Sequence, residues 1–286
     1  MMLINTVILL LRDALPIILI FALLLLSSNK YTKSSSQPLN FLNFFYQLTH
    51  SKWWISALLL SLITTRLLVL NLSDVTQILM GKGNEIVFST ILLIIYLMIV
   101  FILYLLHKNN SEKRYSVAIR TSVILIFVFV FTVNATNFFT YLTGFWSMPE
   151  LQFSLLVGIF LGSGICISVG ILFYFSLHLI RNKYQQTIIE LLLLLFGCGQ
   201  LIQALNLLLQ VDLLPSYTAL WDSSFVINED SELGHFFTAL VGYEATPSIL
   251  HFSVYCSAFI LPIAAHYYHL IYSPTSYNLG ADNEKN

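Results

Sequence analysis

Two adjacent charges, Arg12 and Asp13, stand about ten residues inside an apolar run that extends from residue 3 to 27. Charge at the middle of a membrane-length helix costs at least ~2.5 kcal/mol per group on insertion scales, so such residues imply a partner or an aqueous cavity. Side chains of helix neighbours diverge by ~100°, which predicts that each of the two needs a partner elsewhere. Pro16, one turn on, removes the donor that would have met the Arg12 carbonyl and is a weak signal for a helix break beside a site. An arginine paired with a carboxylate purely for assembly is the alternative reading.

Neutral polar groups form two further sets. Gln200, Gln203 and Asn206 recur at three-residue spacing, and Asn134, Asn137 and Tyr141 share one side of another apolar run. Each set can line a polar path or hold helices together through amide bonds. Glu190 and Arg66 fit residues that pair or reach toward an interface. His251, His266 and His269 fit interfacial residues better than a metal set.

A third set is acidic. Asp212, Asp222, Glu229, Asp230, Glu232 and Glu244 lie between 212 and 246 with no Lys or Arg among them, a segment that would concentrate cations. No glycine-rich phosphate cradle and no converging Ser, His and carboxylate set is present, which argues against nucleotide hydrolysis and against an enzyme.

The elements that must position these groups follow from composition. The chain has 286 residues, 57% apolar and only 9% charged, with net charge −1. A water-facing surface carries charge on roughly a quarter of its residues, so the solvent is the bilayer, and the absence of a basic excess excludes nucleic acid as a partner. Seven runs approach the ~20 residues that cross a bilayer: 3–27, 53–72, 86–106, 117–142, 151–177, 188–211 and 247–272. The expected fold is an all-α polytopic membrane protein, one seven-helix domain over 1–272 with an acidic outer loop 212–246. The first run, too long for a signal core, reads as a retained helix.

Cations set the orientation. Lys30, Lys33 and Lys52 follow span 1; Lys108, Lys113, Arg114 and Arg120 surround the junction of spans 3 and 4; Arg181 and Lys183 follow span 5; Lys285 is in the tail. Lys82 is alone on the opposite side. The positive-inside rule therefore puts the N-terminus outside and the tail 273–286 in the cytoplasm of a plasma membrane, or of the inner membrane in a bacterium. Spans 1–3 and 4–6 then enter from opposite sides, the topology of an inverted repeat with span 1 facing span 4 and the site near the midplane.

Gly158, Gly162, Cys166 and Gly170 form a small-residue stripe in span 5 for close helix approach, either within the chain or at a homo-oligomer seam. Gly197 and Gly199 suit the same use in span 6. Cys166, Cys198 and Cys256, far apart in apolar runs, read as buried small hydrophobes.

The stretches Asp212-Leu-Leu-Pro215, Leu220-Trp-Asp-Ser223, Glu229, Ser231, Gly234 and Gly242-Tyr-Glu-Ala-Thr-Pro-Ser248 resemble, in order and spacing, the oxidase-coupled high-affinity iron permeases of fungi and their bacterial relatives. Leu11-Arg-Asp-Ala-Leu-Pro16 falls where that family has its first Arg-Glu-Gly-Leu-Glu motif, with Asp13 for the first Glu, Ala14 for Gly and Pro16 for the second Glu. Asn134-Ala-Thr-Asn-Phe138 falls at the second motif and carries no charge. Glu85 falls where the family has an acidic residue leading into span 3.

The resemblance implies an iron permease, with iron as transported substrate rather than permanently bound cofactor and with a separate oxidase or periplasmic iron-handling partner. In the scheme this suggests, the pathway runs past Arg12, Asp13 and Glu85 and the amide faces of spans 4 and 6, Asn134, Asn137, Gln200 and Gln203, with iron ligation by Asp13, Asp222, Glu229, Asp230 and Glu232. Carboxylate oxygens suit iron, but one motif carboxylate remains where four are expected, and amides alone do not replace a multivalent ion's hydration. A second class of function is consequently a permease relative that no longer transports and serves as a membrane scaffold or accessory subunit.

Overall fold

The computed structural model describes residues 2–28, 53–79, 81–107, 113–146, 148–180, 182–229 and 231–272. These fold into α1 (Met2–Ser28), α2 (Trp53–Ile78), α3 (Gly83–His107), α4 (Lys113–Trp146), α5 (Pro149–Leu179), α6 (Asn182–Gln210), the short α7 (Glu232–Val241) and α8 (Ile249–Tyr272). Six of them, α1 to α6, are long and apolar enough to cross a membrane, and in α8 the described apolar stretch is Ile249–Ala264. The chain is therefore an all-α, multi-pass membrane protein. Helices are what such a sequence must form, because inside hydrocarbon each backbone N–H and C=O has to find its partner within the chain.

Helix α1 runs unbroken through Pro16, contrary to the break its sequence suggested. The orphaned Arg12 carbonyl costs less than rupture because neighbouring helices hold both halves in place. Most of the loop cations that set the expected orientation, and the tail 273–286, lie outside the described residues.

Packing relations fix the directions of the helices. Gly158, Gly162 and Gly170 of α5 meet Thr6, Leu10 and Ile18 of α1, so the two helices run parallel, and the small-residue stripe is where α1 seats. This is the most extensive helix pairing of the bundle. Each added methyl on that stripe would strike an α1 side chain. Helix α1 also packs on α4, antiparallel: Thr6 Oγ1 is 3.2 Å from Tyr141 Oη and Phe21 meets Phe127 with ring centroids 5.6 Å apart. Span 1 thus faces span 4 as expected, but it lies still more extensively against span 5.

Helices α3 and α6 are likewise antiparallel, since Lys82 Nζ donates to the Val211 carbonyl at 2.6 Å and Gly197 packs on Ile99 and Tyr96. Helix α2 joins α4 through Thr64 and Thr132, whose hydroxyls are 2.7 Å apart. The core, filled by Leu19, Leu23, Ile95, Ile99, Ile126 and Phe196 among others, lies between α1, α3, α4 and α6.

The segment after α6 is built rather than loose. Leu220 N–H donates to Pro247 O and Ser223 N–H to Ala245 O, both at 2.8 Å, an antiparallel tie across the two legs that flank α7. Ser231 caps α7 by accepting from Gly234 N–H, and Gly242 ends it in the left-handed region at φ 68°, which a residue without Cβ adopts freely.

Candidate functional site

Asp13 is 4% exposed and lies midway along α1. Its Oδ1 accepts from Arg12 Nε at 3.0 Å, so the two neighbours do pair with each other, against the expectation from their angular separation. The long arginine stem swings round the helix to reach the carboxylate. The pairing is one-sided: Asp13 Oδ2 is buried with no hydrogen-bond partner among the described residues, and the Arg12 side chain stays 54% open.

What faces Asp13 follows from the α1–α4 register. Asn134 lies seven residues before Tyr141, and Asp13 seven after Thr6, so the Thr6–Tyr141 contact brings Asp13 level with Asn134. Positions seven apart stay on one helical stripe, which puts both residues on the facing sides of the two helices. Asn134 is half-buried, and its Nδ2 donates to Val130 O at 2.8 Å. Asn137, expected to share that face, is exposed on another side of α4.

Helix α6 supplies the third wall. Gln200 is 1% exposed, and neither its Nε2 nor its Oε1 has a partner among the described residues. Gln203 is half-buried. Gly199 abuts Gly242, the residue that ends α7, and Leu240 in the last turn of α7 packs with Leu15 and Leu19 of α1. The last turn of α7 therefore ties Gly199 to the middle of α1, and Gln200 and Gln203 come to the depth of Asp13 within about one helical turn. A buried polar atom without a partner in protein is satisfied by water or by a ligand. The orphaned atoms of Asp13 on α1 and Gln200 on α6, within about one helical turn of the same depth, define the candidate site.

The remaining expected site residues are elsewhere. Glu85 sits in the first turn of α3, where the helix dipole favours it, and its Oε2 is unpartnered among the described residues, but it is about 15 Å nearer the Lys82 end of the bundle than a mid-helix position. Asp222 is exposed and accepts from Ser224 N–H at 2.9 Å and Ser224 Oγ at 2.6 Å, bonds that hold its carboxyl below the usual carboxylate range. Glu229 Oε1 accepts from Ala245 N–H. Asp230 and the side chain of Glu232 lie outside the described residues. No group of three His, Cys, Asp or Glu is arranged to hold a metal ion among the described residues, and the hydrogen bonds of Asp222 and Glu229 lie within the segment itself.

A polar knot that sequence reasoning missed sits at the start of α8. His251, expected at an interface, is 7% exposed; its Nδ1 is 2.7 Å from Ser248 Oγ and its Nε2 is 2.5 Å from Asn206 Oδ1. Glu244 Oε2 stands 3.3 Å from the same Nε2, without hydrogen-bond geometry. Burial, with the Glu229 charge adding to it, pushes Glu244 up to about 7. The sequence carried no signal for this contact, because Asn206 and His251 lie on different spans and no periodicity links them. The side chains of His266 and His269 lie outside the described residues.

Compared with models of protein families, with curated proteins and with solved structures, the chain gives no match in any of the three.

Proposed function

We propose that this protein is a permease that moves iron, or another divalent cation, inward across a membrane, as its resemblance to the iron permeases implies. The observation that carries the reading is Asp13 Oδ2, a carboxylate oxygen buried without a partner midway along a membrane-length helix and level with Asn134. An acidic oxygen is kept in such a place at a cost of a few kcal/mol, and a transported cation is the ligand that recovers it. The half-open Arg12 side chain at the same depth fits a water-filled crevice leading to that point.

The pattern of helix pairs supports the carrier architecture. The pairs α1–α5 and α2–α4, α3–α4 and α1–α6, and α2–α3 and α5–α6 exchange with one another when α1–α3 are swapped with α4–α6, whereas α4–α5 has no comparable α1–α2 packing. Such an exchange supports reading the two triplets as an inverted repeat, with Asp13 level with Asn134 where its halves would face each other. In this reading α8 is the seventh span, the loop cations put the N-terminus outside, and Asp222 and Glu229 lie on the outer segment that first meets the ion.

The test is radiolabelled iron uptake into proteoliposomes at matched Fe(II) and Fe(III), with wild type, Asp13→Ala and an Asp222/Glu229/Glu232 neutralised variant. Uptake above protein-free vesicles that collapses in Asp13→Ala is the expected result. Absence of uptake by the folded wild type would overturn the reading in favour of a membrane scaffold.

A further inference from the structure

The short helix α7 is exposed at its start, around Leu233, and packs into the bundle at its C-terminal end. Its end, Gly242, abuts Gly199, which is eleven residues from the last residue of α6, about 17 Å along the helix axis. Leu240 is buried against Leu15 and Leu19, in the inner half of α1. Nine residues after Gly242 the chain is back at His251, bonded to Asn206 one turn from the end of α6. The legs on either side, 219–223 and 245–248, are hydrogen-bonded to each other. Helix α7 thus descends to mid-depth, stops, and returns as extended chain, in the manner of a re-entrant half-helix.

The end that reaches the middle is the C-terminal one. Gly242 N–H and Tyr243 N–H take the carbonyls of Phe237 and Thr238. The carbonyls of Ala239, Leu240 and Val241 belong to the last turn, beyond the reach of any intrahelical donor, and carry the negative end of the helix dipole. Next along α6 from Gly199, the residue that abuts Gly242, is Gln200. On α6 it is rooted in the wedge between the face of Gly199, which meets α7, and the face of Gly197, which meets α3. Its amide is 1% exposed with both polar atoms unpartnered, the independent sign that something occupies this point.

We infer that the C-terminal turn of α7 and the Gln200 amide form a binding site for a dehydrated alkali-metal cation. Donor chemistry sets the class. Backbone carbonyls and an amide oxygen are neutral, and of the nearest carboxylates among the described residues Asp13 is already paired with Arg12 and Glu244, two residues past Gly242, stands against His251 on the returning leg. The site offers a partial negative charge, enough for a monovalent ion and too little to repay a divalent ion's hydration. Half-helix C-termini at mid-membrane hold coupling ions in this way. The inference rests on reading the chain as a membrane carrier, and it assigns the driving ion rather than the cargo.

The experiment uses the full chain purified in detergent without iron, with thermal unfolding followed in NaCl, KCl and choline chloride at one ionic strength, and radiolabelled sodium and rubidium binding measured in parallel. The expected result is saturable stabilisation by Na+ or K+ over choline. Gln200→Leu is expected to weaken binding of the labelled ion at least about tenfold while unfolding no earlier than wild type in choline, because it removes a buried unsatisfied amide. Gln210→Leu, at the exposed end of α6, is expected to leave binding unchanged. A folded wild type that melts identically in the three salts and binds neither label would overturn the site, and so would a Gln200→Leu variant that binds like wild type. Because iron is absent throughout, failure here is separate from failure of iron uptake.

Discussion

Gly199 and Gly242 bring α6 and the end of α7 backbone to backbone: a methyl group built on Gly199 would fall 2.7 Å from Gly242 N, inside any real contact. Neither position tolerates a side chain, for different reasons. At Gly242 the left-handed φ of 68° adds strain to the steric clash.

Gly242→Ala is therefore expected to destabilise the protein by about 2–4 kcal/mol, combining the left-handed penalty with overpacking. Gly199→Ala should act by overpacking alone and cost less. Thermal unfolding in detergent orders the two variants, and equal melting temperatures for both would contradict this packing.

The seat of α1 on α5 depends on the absence of side chains at Gly158, Gly162 and Gly170. Gly170→Val would drive two methyl groups into Ile18 and is expected to cost about 1–3 kcal/mol. Gly164, on the same helix with open space around its Cα, is the control, and Gly164→Ala should be neutral or slightly stabilising. The stripe is occupied within the chain, so the variant is expected to lower the unfolding temperature at unchanged oligomeric mass in size-exclusion light scattering.

The level meeting of Asp13 with Asn134 predicts a gain of function. Asn134→Asp supplies a second carboxylate level with Asp13, and divalent-cation affinity should rise by about tenfold, or ~1.4 kcal/mol. Isothermal titration with Fe(II) or Mn(II) under anaerobic conditions reads the change. An unaltered Kd would show that the two positions do not share a ligand.

Glu244 makes stability depend on pH. Its folded-state value of about 7 lies above the ordinary 4.5, so the folded state holds the proton more tightly, and the stabilisation present below pH 4.5 is lost as pH rises through 7. Partial exposure reduces the effect to on the order of 2 kcal/mol. Glu229 and His251 are the titratable groups facing it, so the control is Glu244→Gln with both retained. That variant should flatten the decline between pH 4.5 and 7 in a series of thermal melts.

Much of this architecture could be read from residue order, because in a bilayer the hydrophobic length of a segment and the closure of its backbone hydrogen bonds leave few choices. Spans 1 to 6 appear as helices within a few residues of their apolar runs, and the spacing of Gly158, Gly162 and Gly170 announced a close helix contact. Arg12 and Asp13 were conspicuous for the same reason, as charge where charge is expensive. Side-chain partnerships across helices were another matter. That the carboxylate of Asp13 takes Arg12 on one oxygen and nothing on the other, that Asn134 comes level with it, and that His251 is buried against Asn206 all depend on how α1, α4, α6 and α8 slide and rotate against one another. The same holds for α7: ten residues in an acidic segment look like part of a surface loop until Gly242 is found against Gly199. Register between helices is set by the summed fit of many weak contacts distributed over the whole bundle, and no local pattern along the chain records that sum.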